Sequence, residues 1–235
     1  MFKLIKPPDY VSLANLLFGM IGIFLALSDA FSLAAVCLLL AAVADGMDGY
    51  IARKTSSGPL GEHIDSLVDT ISFGVLPAVI IYSMSSTAVT AVFAIFYVMC
   101  GVLRLARYNA FPPKNHEYSG IPITGAAVFV ASLVILFGKL PFSFNFLPDL
   151  VDYSAGIFIV VIFVLSLLMV STIPYTKVIR AKVFLFILFV FFLTLFSVFF
   201  TGVVAEICSG VLFLLMMIYL ISPLFRWVGK KKLDL

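Results

Sequence analysis

Four aspartates and one arginine stand close together in an otherwise apolar chain. Asp45-Gly46-Met47-Asp48-Gly49-Tyr50-Ile51-Ala52-Arg53 is followed, after seven residues, by Gly61-Glu62-His63-Ile64-Asp65-Ser66-Leu67-Val68-Asp69. Residues three or four apart on a helix share a face. Asp45 and Asp48 therefore point one way, as do Asp65 and Asp69. A short hairpin lets the two faces meet, and like charges that close cannot all stay ionised unaided. Divalent cations resolve the conflict. Oxygen-only ligands favour Mg²⁺, Mn²⁺ or Ca²⁺, and no His/Cys set suited to zinc accompanies them. Four acids suffice for two ions, and paired ions are a recurring device for displacement at phosphorus. Gly46, Gly49 and Gly61 remove side chains beside the acids, so that a ligand can approach the backbone. Arg53 adds a cation whose fork matches a phosphate.

The elements that carry these residues are membrane helices. Of 235 residues, 63% are apolar and 11% charged, against about 45–50% and about 25% in soluble domains. Twenty-five Phe residues could not all hide in a soluble core of this size. The composition excludes a soluble enzyme, a disordered tail and a disulfide scaffold. Cys37, Cys100 and Cys208 each lie in an apolar run without CxxC spacing and read as inert buried thiols. Eight stretches approach the roughly 20 apolar residues a crossing helix needs, at about 10–28, 31–52, 62–84, 86–108, 120–139, 154–172, 180–200 and 203–223. The expectation is one all-α, multi-pass membrane domain over residues 1–235. The first stretch is expected to stay in the mature chain, since a signal-peptide cleavage site is weak there.

With eight crossings the termini share a side, and that side holds 14 of the 15 Lys and Arg residues; Lys139 alone falls opposite. The positive-inside rule makes the basic side cytoplasmic. The acid hairpin lies on that face of the cell membrane. Lys230, Lys231 and Lys232 read as an anchor to anionic lipid. No nucleic-acid partner is expected.

The ordered set resembles the signature of the CDP-alcohol phosphotransferase family, D-x2-D-G-x2-A-R followed by G-x3-D-x3-D. Every fixed position matches: Asp45, Asp48, Gly49, Ala52, Arg53, Gly61, Asp65 and Asp69. Residues 8–108 carry this motif region. The resemblance implies that a CDP-linked lipid or alcohol is cleaved at its pyrophosphate, with transfer of the phosphoalcohol to a hydroxyl and release of CMP. It implies that Asp45, Asp48, Asp65 and Asp69 bind two divalent cations, Mg²⁺ or Mn²⁺, and that Asp69 is also the general base. It assigns Gly49, Gly61 and Arg53 to the CDP-lipid. Pro8, Asp9, Tyr10 and Val11 match a short segment before the first helix that closes over the cytidine. It also implies a homodimer. One departure is Gly58, where the family usually has a serine; Ser57 is the available substitute.

For the acceptor, the sequence Arg104-Leu105-Ala106-Arg107-Tyr108-Asn109 resembles the branch of the family that uses serine. Gly120-Ile121-Pro122 and Leu168-Met169-Val170-Ser171-Thr172-Ile173 share that resemblance. The substrates implied are CDP-diacylglycerol, or CDP-archaeol where the lipid is ether-linked, and L-serine. A serine carboxylate needs a guanidinium or similar donor, and Arg104, Arg107 and Asn109 are placed to supply one. Glycerol phosphate or inositol phosphate would want a similar cation, so those acceptors stay open, as does a site at Lys177, Arg180 and Lys182. A cation-coupled transporter is the rival class. Transporter acids sit near the bilayer midplane in corresponding halves, whereas these cluster at one surface and in one half.

Overall fold

The computed structural model describes residues 6–54, 60–111, 117–137, 154–176, 189–196 and 202–233. Helix α1 spans Pro7–Leu27 and α2 spans Phe31–Lys54. Helix α3, Gly61–Asp69, continues through a π-helical turn, Thr70–Val75, into α4, Leu76–Ser85. Then come α5 (Ala88–Ala110), strand β1 (Glu117–Ser119), α6 (Ile123–Phe137), α7 (Ser154–Val170) and strand β2 (Pro174–Thr176). Helical residues 189–196 form α8, and α9 is Gly202–Leu233.

Among the described residues, four helical stretches are long and apolar enough to cross a membrane: Pro7–Leu27, Phe31–Ala52, Gly61–Ser85 and Ala88–Ala110. Ile123–Phe137, Gly156–Val170 and Ile207–Pro223 are shorter apolar helices. Each of these helices overlaps an expected stretch, with Pro7, Gly61, Ser85 and Ala110 lying one to three residues outside the expected bounds, and α8 lies inside the expected 180–200. The small antiparallel ribbon of β1 on β2, with Tyr118 opposite Tyr175, was not expected from an all-α reading. It ties the loop after α5 to the loop after α7, and both are loops that the charge count assigns to the basic face.

Helix α1 begins at Pro7 because proline is pre-set for the first helical turn and its missing N–H costs nothing there. Asp9 closes the turn: the Lys6 N–H donates to Asp9 Oδ2 at 2.7 Å, an acidic N-terminal cap. Pro8 to Val11 therefore form the first turn of α1, which corrects the expectation of a segment ahead of the helix. The face α1 turns inward is small and polar, with Pro8, Asp9, Ser12, Asn15, Gly19, Gly22 and Ala26 buried. Its large residues face outward; Leu17 is 57% exposed and Phe24 61%. That inversion suits lipid, where small residues let helices approach and apolar side chains need no shelter. A Cβ at Gly19 would collide with the Ser72 side chain, so only glycine lets α1 lie this close to the π-helical turn.

Among the described residues, Pro77 and Pro223 sit inside continuous helix, and both are compensated. Pro77 has no N–H for the Phe73 carbonyl four residues earlier; the buried Tyr97 hydroxyl donates there instead, at 3.2 Å. Pro223 deprives the Tyr219 carbonyl in the same way, and the Ser222 hydroxyl donates to it at 2.7 Å. Tyr175 of β2 adds a hydrogen bond to the Leu220 carbonyl at 3.2 Å. Helix α9 can thus run on to Leu233, beyond the apolar stretch expected over 203–223. At the centre stands α6, whose residues 126–135 are all buried. A helix apolar on every side belongs in the interior. It packs against α2 and α9. Cys37, Cys100 and Cys208 are buried and unpaired, as expected.

Candidate active site

The last turns of α2 and the first turns of α3 bring the acids together. Carboxylate oxygens of Asp45, Asp48 and Asp65 all lie within 4.8 Å of one another. Asp69 ends α3, one turn beyond Asp65, and is 7% exposed; Asp48 is 6% exposed. Each has a neutral partner from elsewhere in the fold. Ser12 Oγ donates to Asp48 Oδ2 at 2.8 Å. Asn15 Nδ2 donates to Asp69 Oδ1 at 3.4 Å. Thr124 Oγ1, in the first turn of α6, donates to Asp45 Oδ2 at 3.3 Å. Helix α1 thus supports two acids and α6 a third. Asp9, 1% exposed, lies within Coulombic range of Asp48.

The donor set fits a hard divalent ion. It offers carboxylate oxygens from three side chains at bridging separations, with no nitrogen or sulfur ligand among them. Asp69 is close enough for its charge to act with Asp45, Asp48 and Asp65, but it stands beside the compact trio, held by Asn15. Gly46 is exposed with open space where a Cβ would be. Gly49 and Gly61 are partly buried at the facing helix ends. Arg53 lies in the last turn of α2, and its side chain, with Ser57 and Gly58, is outside the described residues.

The expected acceptor residues separate. Arg104 is 8% exposed, with its guanidinium carbon 5.7 Å from the centroid of the Tyr108 ring. Its charge reaches both Asp45 and Asp69. Asn109 Nδ2 donates to Ser66 Oγ at 2.7 Å, beside Asp65. Arg107 points elsewhere. It donates to the carbonyls of Val170 at 2.8 Å, Met169 at 3.1 Å and Ser119. Its guanidinium is therefore held on main chain, whereas Arg104 is buried toward the acids. The reason is the end of α7. The last carbonyls of a helix have no intrahelical donor and carry partial negative charge, which a cation satisfies. Ile121 N–H caps the Leu168 carbonyl at 3.2 Å from the same side. Gly120, at φ +79°, allows this: a Cβ there would press on the carbonyls of Leu168, Met169 and Ser171. The clamp sets the path of Gly120–Ile123 and so delivers Thr124 to Asp45. Lys177, Arg180 and Lys182 are outside the described residues.

Ser12, Asn15, Ser66 and Thr124 were not among the residues singled out from sequence. A signal existed for the first two: polar residues at a spacing of three inside an apolar helix are costly in a membrane and invite a role. Nothing local marks Thr124.

Arg107→Ala should destabilise the fold by about 2 kcal/mol, the scale of hydrogen bonds to a charged group. Arg107→Lys should recover little, lacking the planar fork. Detergent melts of both variants check this, and unchanged melts would mean that the three carbonyl bonds hold nothing in place.

The profile of the CDP-alcohol phosphatidyltransferase family matches residues 6–154. The chain belongs to this family. Among curated relatives of this transferase, an archaetidylserine synthase of Methanothermobacter thermautotrophicus is 34% identical, over 73% of this chain and 70% of the relative. A CDP-diacylglycerol–serine O-phosphatidyltransferase of Methanocaldococcus jannaschii is 34% identical over 79% of this chain and 80% of its own. One of the same name from Helicobacter pylori is 35% identical over 94% and 90%.

Proposed function

We propose that this transferase moves the phosphatidyl group of CDP-diacylglycerol, or the equivalent group of CDP-archaeol, to the hydroxyl of L-serine, releasing CMP. The observation that carries the reading is the trio of carboxylates within 4.8 Å with Asp69 one turn beyond. The names of the relatives agree on serine and differ on the lipid tail. The helices form a multi-pass membrane domain with this site at the cytoplasmic face, where CDP-lipid can present its pyrophosphate while its tails stay in the bilayer.

Asp45, Asp48, Asp65 and Asp69 would hold two divalent cations, Mg²⁺ or Mn²⁺. Bound there, such ions offset charge on the pyrophosphate oxygens and on the departing CMP. The protein's own groups do the rest. Asp69 accepts the proton of the serine hydroxyl as that oxygen forms its bond to the lipid-bearing phosphorus. The bond from phosphorus to the CMP oxygen breaks in the same displacement. Asn15 holds Asp69 Oδ1, which leaves Oδ2 to take the proton. Arg104, buried beside Asp45 and Asp69, supplies the positive charge for the serine carboxylate, with Asn109 at the mouth. Pro8 to Val11, Gly49, Gly61 and Arg53 line the approach of the CDP moiety. No serine or cysteine nucleophile is required.

The test is CMP release from CDP-diacylglycerol, and in parallel from CDP-archaeol, with and without L-serine. Serine-dependent CMP supports the reading; CMP formed only with glycerol phosphate or an inositol acceptor overturns it. Arg104→Ala should raise the serine KM roughly ten- to a hundredfold, from loss of a charged hydrogen bond, with little change in the KM for CDP-lipid. An unchanged serine KM would place the carboxylate elsewhere.

A further inference from the structure

Asn15 is 0% exposed. Its Nδ2 donates to Asp69 Oδ1 at 3.4 Å, and its main-chain carbonyl accepts from the Ser72 hydroxyl at 3.2 Å. Its side-chain oxygen, Oδ1, has no hydrogen-bond partner among the described residues. Ser12, one turn earlier on the same face, is already paired with Asp48 and with the Pro8 carbonyl. A buried acceptor left without a donor is costly, and in native proteins such atoms mark a missing water, ion or reactant. Turning the amide round does not cure it, because the amide oxygen would then face the Asp69 carboxylate. The atom that needs a partner is thus a neutral, hard oxygen on the same amide that donates to Asp69. Amide carbonyls are ordinary ligands of hard divalent cations, alongside carboxylates. Their dipole adds an oxygen to a coordination sphere without adding another negative charge to a crowded site.

We propose that Asn15 is a member of the divalent-cation centre: Nδ2 orients Asp69, and Oδ1 donates to the coordination sphere of the cation. This rests on the reading above that the acids hold divalent ions. It explains why α1 brings a full amide so close to Asp69, where Ser12 needs only a hydroxyl for Asp48. It also explains why the carbonyl of Asn15 is itself tied to Ser72. That bond, with the tight approach at Gly19, fixes the height of α1 against the π-helical turn that follows Asp69.

The experiment is Mn²⁺ binding to the full chain in detergent without substrate, read by electron paramagnetic resonance of free Mn²⁺, with melts in Mn²⁺ and in chelator. Asn15→Leu removes both polar atoms at similar volume. It should weaken Mn²⁺ binding about tenfold or more, on the scale of losing a group that supports a metal site, and reduce the rise in Tm that Mn²⁺ gives. Asn15→Asp keeps the oxygen and loses the N–H donor. It should bind Mn²⁺ at least as tightly as wild type while kcat falls, because Asp69 loses its orienting bond. If Asn15 only packs α1, both variants lower the Tm equally with and without Mn²⁺ and bind Mn²⁺ like wild type; that result overturns the proposal. Wild-type protein that binds no Mn²⁺ overturns instead the divalent-ion reading on which it rests.

Discussion

Asp69→Asn should lower kcat by about a hundredfold or more, the usual scale for losing a positioned general base. The substitution keeps the size and one oxygen of the side chain, so Asn15 can still donate to it, and packing at the end of α3 is retained. What disappears is the ability to take the proton of the attacking hydroxyl. CDP-lipid binding, which depends on the rest of the site, should change only a few-fold. Steady-state rates at saturating serine, with equilibrium binding of CDP-lipid, separate the two. A variant turning over within tenfold of wild type would show that the proton goes elsewhere. One that loses CDP-lipid binding in proportion to rate would recast Asp69 as a ligand alone.

Removing divalent ions should abolish turnover, and Mg²⁺ or Mn²⁺ should restore it. The expectation follows from the spacing of Asp45, Asp48 and Asp65. Two unit charges at the 4.8 Å limit of that cluster repel by roughly 3 kcal/mol at an effective dielectric constant of 20. Three such pairs form one small site, in which Ser12 donates to Asp48, Thr124 donates to Asp45 and the Arg104 charge reaches Asp45. Divalent ions turn that repulsion into attraction. Asp45→Asn and Asp65→Asn should each raise the metal concentration needed for half-maximal activity as well as lower the rate. Activity is followed as CMP release across a metal titration after exhaustive chelation. Full turnover in the chelated protein would remove the divalent-ion reading altogether.

The chemistry was legible from the sequence because it is local. Asp45 and Asp48 lie three apart, Asp65 and Asp69 four apart, and a short connection joins their helices. Helical periodicity alone places each pair on one face, and hairpin geometry brings the faces together. The apolar stretches were readable for a similar reason, since a bilayer demands about 20 apolar residues in a row whatever surrounds them. The first apolar stretch begins near residue 10, and the family resemblance puts Pro8 to Val11 ahead of the helix, whereas α1 starts at Pro7. Pro7, Pro8 and Asp9 are favourable first-turn residues of the helix. The last apolar stretch ends at Pro223 as expected, and the helix itself runs on to Leu233 because the Ser222 hydroxyl serves the carbonyl that the proline leaves without a donor.

The supports of the site and the division of labour between the two arginines were decided by tertiary structure. Asn15 meets Asp69 across 54 residues of chain, Arg107 meets Val170 across 63, and Thr124 meets Asp45 across 79. No periodicity links residues so far apart. Arg104 and Arg107 lie on the same side of α5 by spacing, yet one is buried toward the acids and the other caps α7. That division depends on where α7 ends, on a glycine that can hold φ +79°, and on a two-stranded ribbon formed by distant loops. Local spacing determined which side chains could hold charge together; only the packing of α1, α6 and α7 around them decided which groups support them.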